Sequence, residues 1–160
     1  MTRVEAWRNW SGTQAALATE VVHPAGTDEL AALVRAAATS GRVVKPVGSG
    51  HSFTAAAATS GVRVELSRMS GLAAVDRERR LARVRAGTPL ADLNEVLHAH
   101  GLALPNLGDI DSQTISGALA TGTHGTGASF GCLATFVEEL ELVSGTGEVL
   151  RCSTTNHPEI

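Results

Sequence analysis

The sequence has little excess charge, few cysteines and no long apolar run. Its net charge is −3 over 160 residues, so it has no basic field of the kind that binds nucleic acid or an anionic membrane surface. No apolar run is long enough to span a bilayer. The first ten residues carry several charged side chains and lack the apolar core of a secretory signal. We therefore expect a protein that binds neither nucleic acid nor membrane.

The two cysteines, Cys132 and Cys152, are too few for a disulfide framework. We expect both thiols to be small core residues of a protein in the reducing cytoplasm. The composition is 43% hydrophobic and 18% charged, which is typical of a globular protein. The length fits one compact domain or two small subdomains.

Capping signals and apolar spacing predict two amphipathic helices. The first has Thr27 as its N-cap and ends at Gly41. The second is capped by Thr88, has Pro89 in its first turn and ends at Gly101. A short third helix is predicted between residues 112 and 121, with its N-terminus near residue 114.

Apolar runs and alternating apolar residues predict several short strands. They lie at residues 20–22, 43–47, 62–66, 73–75, 81–86, 102–108, 139–142 and 148–152. The strand at 62–66 alternates apolar and charged residues, so we expect it to be half-buried. Because hairpins outnumber β–α–β crossovers, the pattern favours an α+β fold over a doubly wound parallel sheet.

Residues 43–53 form the first unusual stretch, in which an apolar strand runs into the loop Gly48–Ser52 with His51 near its tip. Glycines here can adopt positive φ and have no Cβ to keep a ligand away. Successive N–H groups in such a loop can form a concavity that binds anions, and Ser49 and Ser52 add hydroxyl donors. A simple Gly-rich turn with a surface histidine accounts for the same residues, so both interpretations stay open.

Residues 109–127 form the second unusual stretch, rich in glycine and threonine around Thr121–His124. We expect each loop to follow a strand, and together they offer many donors with few fixed charges, which suits a large anionic cofactor. The Rossmann fingerprint and the P-loop are both absent, because the third glycine and the Gly-Lys-Ser/Thr run are missing. His51 and His124 lack a third ligand at metal spacing, so we predict no metal site.

Three motifs together resemble the FAD-binding domain of aldonolactone oxidases and alditol oxidases, which are vanillyl-alcohol-oxidase-type flavoproteins. The motifs are Val47–Phe53, Leu104–Gly108 and Ser116–Gly127. The opening Trp7–Trp10 is similar to the start of the L-gulonolactone and D-arabinonolactone oxidases. The resemblance covers nearly the whole chain and implies an α+β, two-subdomain FAD-binding fold of the PCMH type.

The resemblance also implies a domain organisation. Residues 1–26 would be a lead-in segment, and residues 13–160 the FAD-binding domain, with subdomains at about 18–68 and 72–160. Family members are far longer than this chain, so we expect the second subdomain to be incomplete at its C-terminus and the fold to be truncated before the cap domain. Because that cap carries the substrate pocket and most catalytic groups, no catalytic residue is expected here and the chain alone is expected to be inactive.

The resemblance further implies that the loop 48–52 wraps the FAD pyrophosphate and that His51 is joined covalently to the 8α-methyl carbon of the flavin. The implied cofactor contacts are Val47, Gly48, Ser49, Gly50, His51, Ser52, Phe53, Gly108, Asp109, Thr114, Gly117, Thr121, Gly122, Thr123 and His124. Asp109 departs from the small residue that several relatives have at this position. His124 is equally compatible with a structural role within its loop.

The implied reaction is hydride transfer from a CH–OH group of a sugar-1,4-lactone or an alditol to FAD, with O₂ as acceptor and H₂O₂ as product. In the family, the position of Gly108 lies near the reactive face of the flavin, where a missing Cβ leaves room for O₂; a tight turn is the other interpretation. Two alternatives to the oxidase remain open. One is a dehydrogenase that uses another acceptor, and the other is a truncated flavin-binding module without activity.

Overall fold

The computed structural model describes residues 5–160, which fold into a mixture of short strands and helices. The strands are β1 (Glu5–Arg8), β2 (Ala15–Ala18), β3 (Glu20–Val22), β4 (Val44–Val47), β5 (Val62–Glu65), β6 (Leu72–Asp76), β7 (Leu81–Val84), β8 (Glu139–Val143) and β9 (Val149–Ser153). The helices are α1 (Thr27–Thr39), α2 (Leu90–Ala99) and α3 (Ile115–Ala120). None of the helices in this part of the chain is both long and apolar enough to cross a bilayer.

A three-stranded parallel sheet in the order β3-β5-β4 supports the first loop. Helix α1 connects the two outer strands, as expected for a parallel crossover. Val62 and Val64 of the central strand are buried, and so is Arg63, whose Nε lies 2.8 Å from Glu65 Oε1. The expectation of a half-buried strand is therefore wrong, because a central parallel strand is covered on both faces.

The remaining strands form three antiparallel hairpins, β1–β2, β6–β7 and β8–β9. The last two confirm the hairpins expected from the sequence. The first was not predicted, because its residues lack a clear alternating pattern. The predicted strand at 102–108 is wrong: these residues pair with no strand and include Pro105, which has no N–H for a ladder.

The helices lie where the sequence predicts, but two of their N-caps differ. Helix α1 begins at Thr27 with Gly26 as its cap, and the Thr27 hydroxyl donates to Glu141 Oε1 at 2.7 Å. Helix α2 is capped by Pro89, because the buried Thr88 hydroxyl instead bonds the main chain of residues 71 and 85. Thr114 caps α3 as expected, accepting from the N–H of residue 117.

The main apolar cluster lies beneath the second loop. Its buried members are Leu90, Leu93, Leu97, Ala118 and Leu133. They come from α2, from α3 and from the 3₁₀ turn at 133–136, so the cluster fixes α3 and the residues that follow it. Cys152 is buried on β9, Cys132 is only half-buried, and both thiols are free.

Candidate cofactor cleft

The first loop follows β4 and is fixed by close contacts. Val47, the last residue of the strand, is buried. Gly50 has a positive φ of 70°, as expected, but Gly48 does not. Gly48 is required for space, because a Cβ there would overlap the Thr114 hydroxyl. Glycine at 48 therefore lets the first loop approach the cap of α3.

Two residues outside the first loop, Ser112 and Trp10, contact the side chain of His51. Its Nε2 lies 2.9 Å from the Ser112 hydroxyl oxygen. The Trp10 ring stacks on its imidazole with centroids 5.2 Å apart and an interplanar angle of 19°. Phe53 meets the same indole edge-on at 6.3 Å. The Ser49 hydroxyl donates to the Ser112 carbonyl oxygen, so Ser112 contacts the first loop through both of its oxygens.

The second loop, residues 121–127, follows helix α3. The prediction that each loop follows a strand is therefore wrong for this loop. The Thr121 hydroxyl donates to the Gly117 carbonyl oxygen at 2.9 Å. The Thr123 hydroxyl and the Gln113 side chain are hydrogen-bonded at 3.3–3.4 Å. His124 Nδ1 lies 2.8 Å from the carbonyl oxygen of the next residue. These bonds hold the loop in a compact form beside residues 107 and 108.

The two loops border one cleft of about 300 Å³. It is lined by Trp10, His51, Phe53, Gly108, Asp109, Ile110, Gln113, Thr123 and His124. Loops that lie about seventy residues apart in the sequence therefore meet at the same place. The other residues singled out from the sequence do not line this cleft: Val47, Gly48, Ser49, Gly50, Ser52, Thr114, Gly117, Thr121 and Gly122.

The lining is apolar on one part and polar on another. Trp10, Phe53 and Ile110 give exposed apolar surface. Among the lining residues within positions 5–160, Asp109 is the one carboxylate and none is a lysine or an arginine. An anionic group bound here would therefore depend on N–H and hydroxyl donors. Among residues 5–160, no group of three or more His, Cys, Asp or Glu side chains is placed to hold a metal ion.

Sequence reasoning missed Ser112, Gln113 and the position of Trp10. The Trp7–Trp10 motif was a signal for the tryptophan, although nothing in it indicated stacking on His51. Ser112 carried no signal, because it lies in an irregular segment without periodicity. Only the fold brings it to the histidine.

A comparison against protein families finds a match over most of the chain. The model described as "FAD binding domain" matches residues 18–153, which is most of the chain. The chain therefore belongs to the FAD-binding domain family, and the resemblance stated from the sequence is confirmed.

Several proteins with similar sequences are named as oxidases or dehydrogenases of sugar lactones or alditols. The chain is 42% identical to an L-gulono-1,4-lactone dehydrogenase of Mycobacterium tuberculosis over 92% of its length and 34% of that protein. It is 36% identical to the L-gulonolactone oxidase of Bos taurus, over 96% and 35%. It is 40% identical to an alditol oxidase of Streptomyces sp., over 89% and 34%. The chain thus spans about a third of the length of these relatives.

Proposed function

We propose that this chain is the FAD-binding portion of an oxidoreductase that oxidises a CH–OH group of a sugar-1,4-lactone or an alditol. The electron acceptor would be O₂, giving H₂O₂, and FAD would be bound covalently through His51. The observation that carries this proposal is that His51 and the second loop border one cleft in a domain of the FAD-binding family.

The residues of the cleft fit part of the cofactor. A planar ring system needs apolar contact on its faces and a few polar groups at its edges, and the lining offers both. The volume, about 300 Å³, is at the lower end for ligand pockets. It therefore suits the flavin ring and not the whole dinucleotide. Bound FAD supplies the two-electron chemistry.

The residues outside the cleft suit the phosphate end of the cofactor. Main-chain N–H groups of Gly48–Ser52 and the Ser52 hydroxyl are donors without charge, whereas the hydroxyls of Ser49 and Thr121 already donate to carbonyl oxygens of residues 112 and 117. Backbone concavities of this kind bind phosphate oxygens. For the substrate site and for the base that takes the substrate proton, we propose no residue among positions 5–160.

A dehydrogenase with another acceptor is the second candidate, favoured by the name of the M. tuberculosis relative. Gly108 lines the cleft, and we propose that its missing Cβ leaves room there for O₂, which favours the oxidase. A Cβ would also lie 3.2 Å from the His124 carbonyl oxygen, so the glycine allows the close approach of the second loop as well. We further propose that the FAD-binding fold is divided at about residues 68–72. We also propose that the protein works in the cytoplasm, a proposal supported by the low cysteine content of the chain.

The covalent bond to His51 is tested by substitution of the two cleft histidines. In the full-length protein, we expect the yellow flavin to stay with the polypeptide after acid precipitation. His51→Ala should release all flavin into the supernatant, because no other nucleophile is proposed for the attachment. His124→Ala is the matched control and should retain the bound flavin. Retention of flavin by His51→Ala would refute the attachment site.

A further inference from the structure

The imidazole of His51 is contacted by two residues to which the proposed function gives no role, Trp10 and Ser112. Trp10 covers one face of the ring, and Ser112 meets Nε2 at one edge. Nδ1 of His51 has no hydrogen-bond partner within residues 5–160. The two ring nitrogens are therefore in different environments before any cofactor is bound.

The position of Trp10 is fixed by the main chain on both sides of His51. The Trp10 N–H donates to the Gly50 carbonyl oxygen at 2.9 Å. Its neighbour Asn9 is buried and donates from Nδ2 to the Ser52 carbonyl oxygen at 3.0 Å. The residues before and after His51 are thus held by residues 9 and 10. The stacking of the indole is consequently built into the turn between β1 and β2, although the ring itself is largely exposed.

The position of Ser112 is fixed in a similar way. Its carbonyl oxygen accepts from the Ser49 hydroxyl, while its own hydroxyl meets His51. When the Ser112 oxygen accepts from Nε2–H, the lone pair of the ring lies on Nδ1. When the hydroxyl instead donates to Nε2, neither nitrogen has a free lone pair. Only the first arrangement leaves the imidazole a nucleophile.

We propose that Ser112 and Trp10 are positioning residues for flavin attachment, an inference that rests on the proposed covalent bond. They hold His51 as the Nε2–H tautomer and stabilise the positive charge that develops on the ring as Nδ1 bonds the 8α-carbon. The oxygen of Ser112 accepts a charge-assisted hydrogen bond from Nε2. The indole face attracts a cation within about 6 Å of its centroid.

The attachment balances with one two-electron acceptor. The bond between Nδ1 and the 8α-carbon forms, and a C–H bond of the methyl group and the Nε2–H bond break, each releasing a proton. The two electrons pass to the flavin ring and from it to dioxygen. Dioxygen takes up two protons and leaves as hydrogen peroxide, so the flavin ends oxidised and attached.

The test compares attachment rate with affinity in the full-length protein produced in a riboflavin-starved host, so that it is made without cofactor. FAD is added, and acid-precipitable flavin is followed in time, while a rapid titration of flavin fluorescence gives the affinity for FAD before attachment proceeds. We expect Ser112→Ala to slow attachment at least tenfold with affinity unchanged within twofold. Ser112→Thr, which keeps the hydroxyl, should restore most of the rate. Trp10→Leu should slow attachment several-fold, and Trp10→Phe less.

A second readout needs no flavin. In the cofactor-free protein, the ¹⁵N chemical shifts of the His51 ring should show the Nε2–H tautomer, and Ser112→Ala should increase the share of the other tautomer. Ser129→Ala, at an exposed serine that does not line the cleft, is the control and should change neither rate nor shifts. Equal attachment rates for Ser112→Ala and the unchanged protein would overturn the role of Ser112. If the unchanged protein attaches no flavin, the covalent bond itself is refuted, and this inference with it.

Discussion

At the level of single residues, the structure shows what an added methyl group at Gly108 would contact. A Cβ at this position would lie 3.2 Å from the His124 carbonyl oxygen and 3.6 Å from the Thr123 methyl carbon. Both neighbours belong to the second loop and border the cleft. The position has ordinary backbone angles, so it is the space and not the φ angle that glycine provides.

We expect Gly108→Val to reduce oxygen consumption about tenfold and a dye-coupled rate by less than twofold. The reason is that two methyl groups would occupy space at the cleft that dioxygen must enter, whereas a dye takes electrons from outside. Gly108→Ala is the intermediate variant, since one methyl needs only a shift of a few tenths of an ångström. If the two rates fall together, access of oxygen is not the role of Gly108.

Asn9 shows how one buried side chain connects two elements. Its Nδ2 donates to the hydroxyls of Ser11 and Thr13 and to the Ser52 carbonyl oxygen, while its Oδ1 accepts from the Gln14 N–H. It therefore fixes the β1–β2 turn and the loop that carries His51 at the same time. Buried polar groups contribute in this way only while their partners are present.

We expect Asn9→Ala to lower the free energy of unfolding by about 1–3 kcal/mol, because buried hydrogen-bonding groups lose their partner. Amide hydrogen exchange at residues 48–53 should become faster as well. Asn9→Asp keeps the acceptor for Gln14 but loses the donors, so it should loosen the same loop. Asn94→Ala on helix α2 is the control and should leave the loop unchanged. Unchanged exchange at 48–53 in Asn9→Ala would contradict the proposed connection.

At the level of elements, local signals in the sequence predicted most helices and two hairpins. Gly41 and Gly101 follow the two long helices with positive φ, as their positions indicated. The parallel pairing of β5 with β3 and β4 could not be predicted, since it depends on contacts between residues far apart in sequence. The candidate site could also be predicted only in part. The two loops were found from the sequence, but the contact of Ser112 with His51 and the stacking of Trp10 depend on the fold.

At the scale of the whole molecule, two groups of buried apolar residues lie in different parts of the chain. Val47, Val62 and Val64 belong to the parallel sheet, whereas the larger cluster involves helices α2 and α3. Connections between the two parts include the bond from Arg35 Nη1 to the Gly147 carbonyl oxygen at 2.8 Å. The proposed division into two subdomains follows this distribution.

The division is tested by one core substitution in each part. Leu93→Ala should lower the free energy of unfolding by about 2–5 kcal/mol, because it leaves a cavity among buried side chains. It should speed amide exchange in α2 and α3 more than in β5, and Val64→Ala should have the opposite pattern. Exchange that rises uniformly throughout residues 5–160 in both variants would show one cooperative unit instead.

The turn that holds Trp10 against His51 also determines where tryptophan fluorescence arises in this chain. The sequence has two tryptophans and no tyrosine, and Trp7 lies beside Gly50, with a ring carbon 3.4 Å from where a Cβ would be. Both indoles therefore adjoin the same loop, and the tryptophan emission of these 160 residues arises there. A chromophore that absorbs in the near ultraviolet would quench this emission on entering the cleft, so its arrival can be followed without any label.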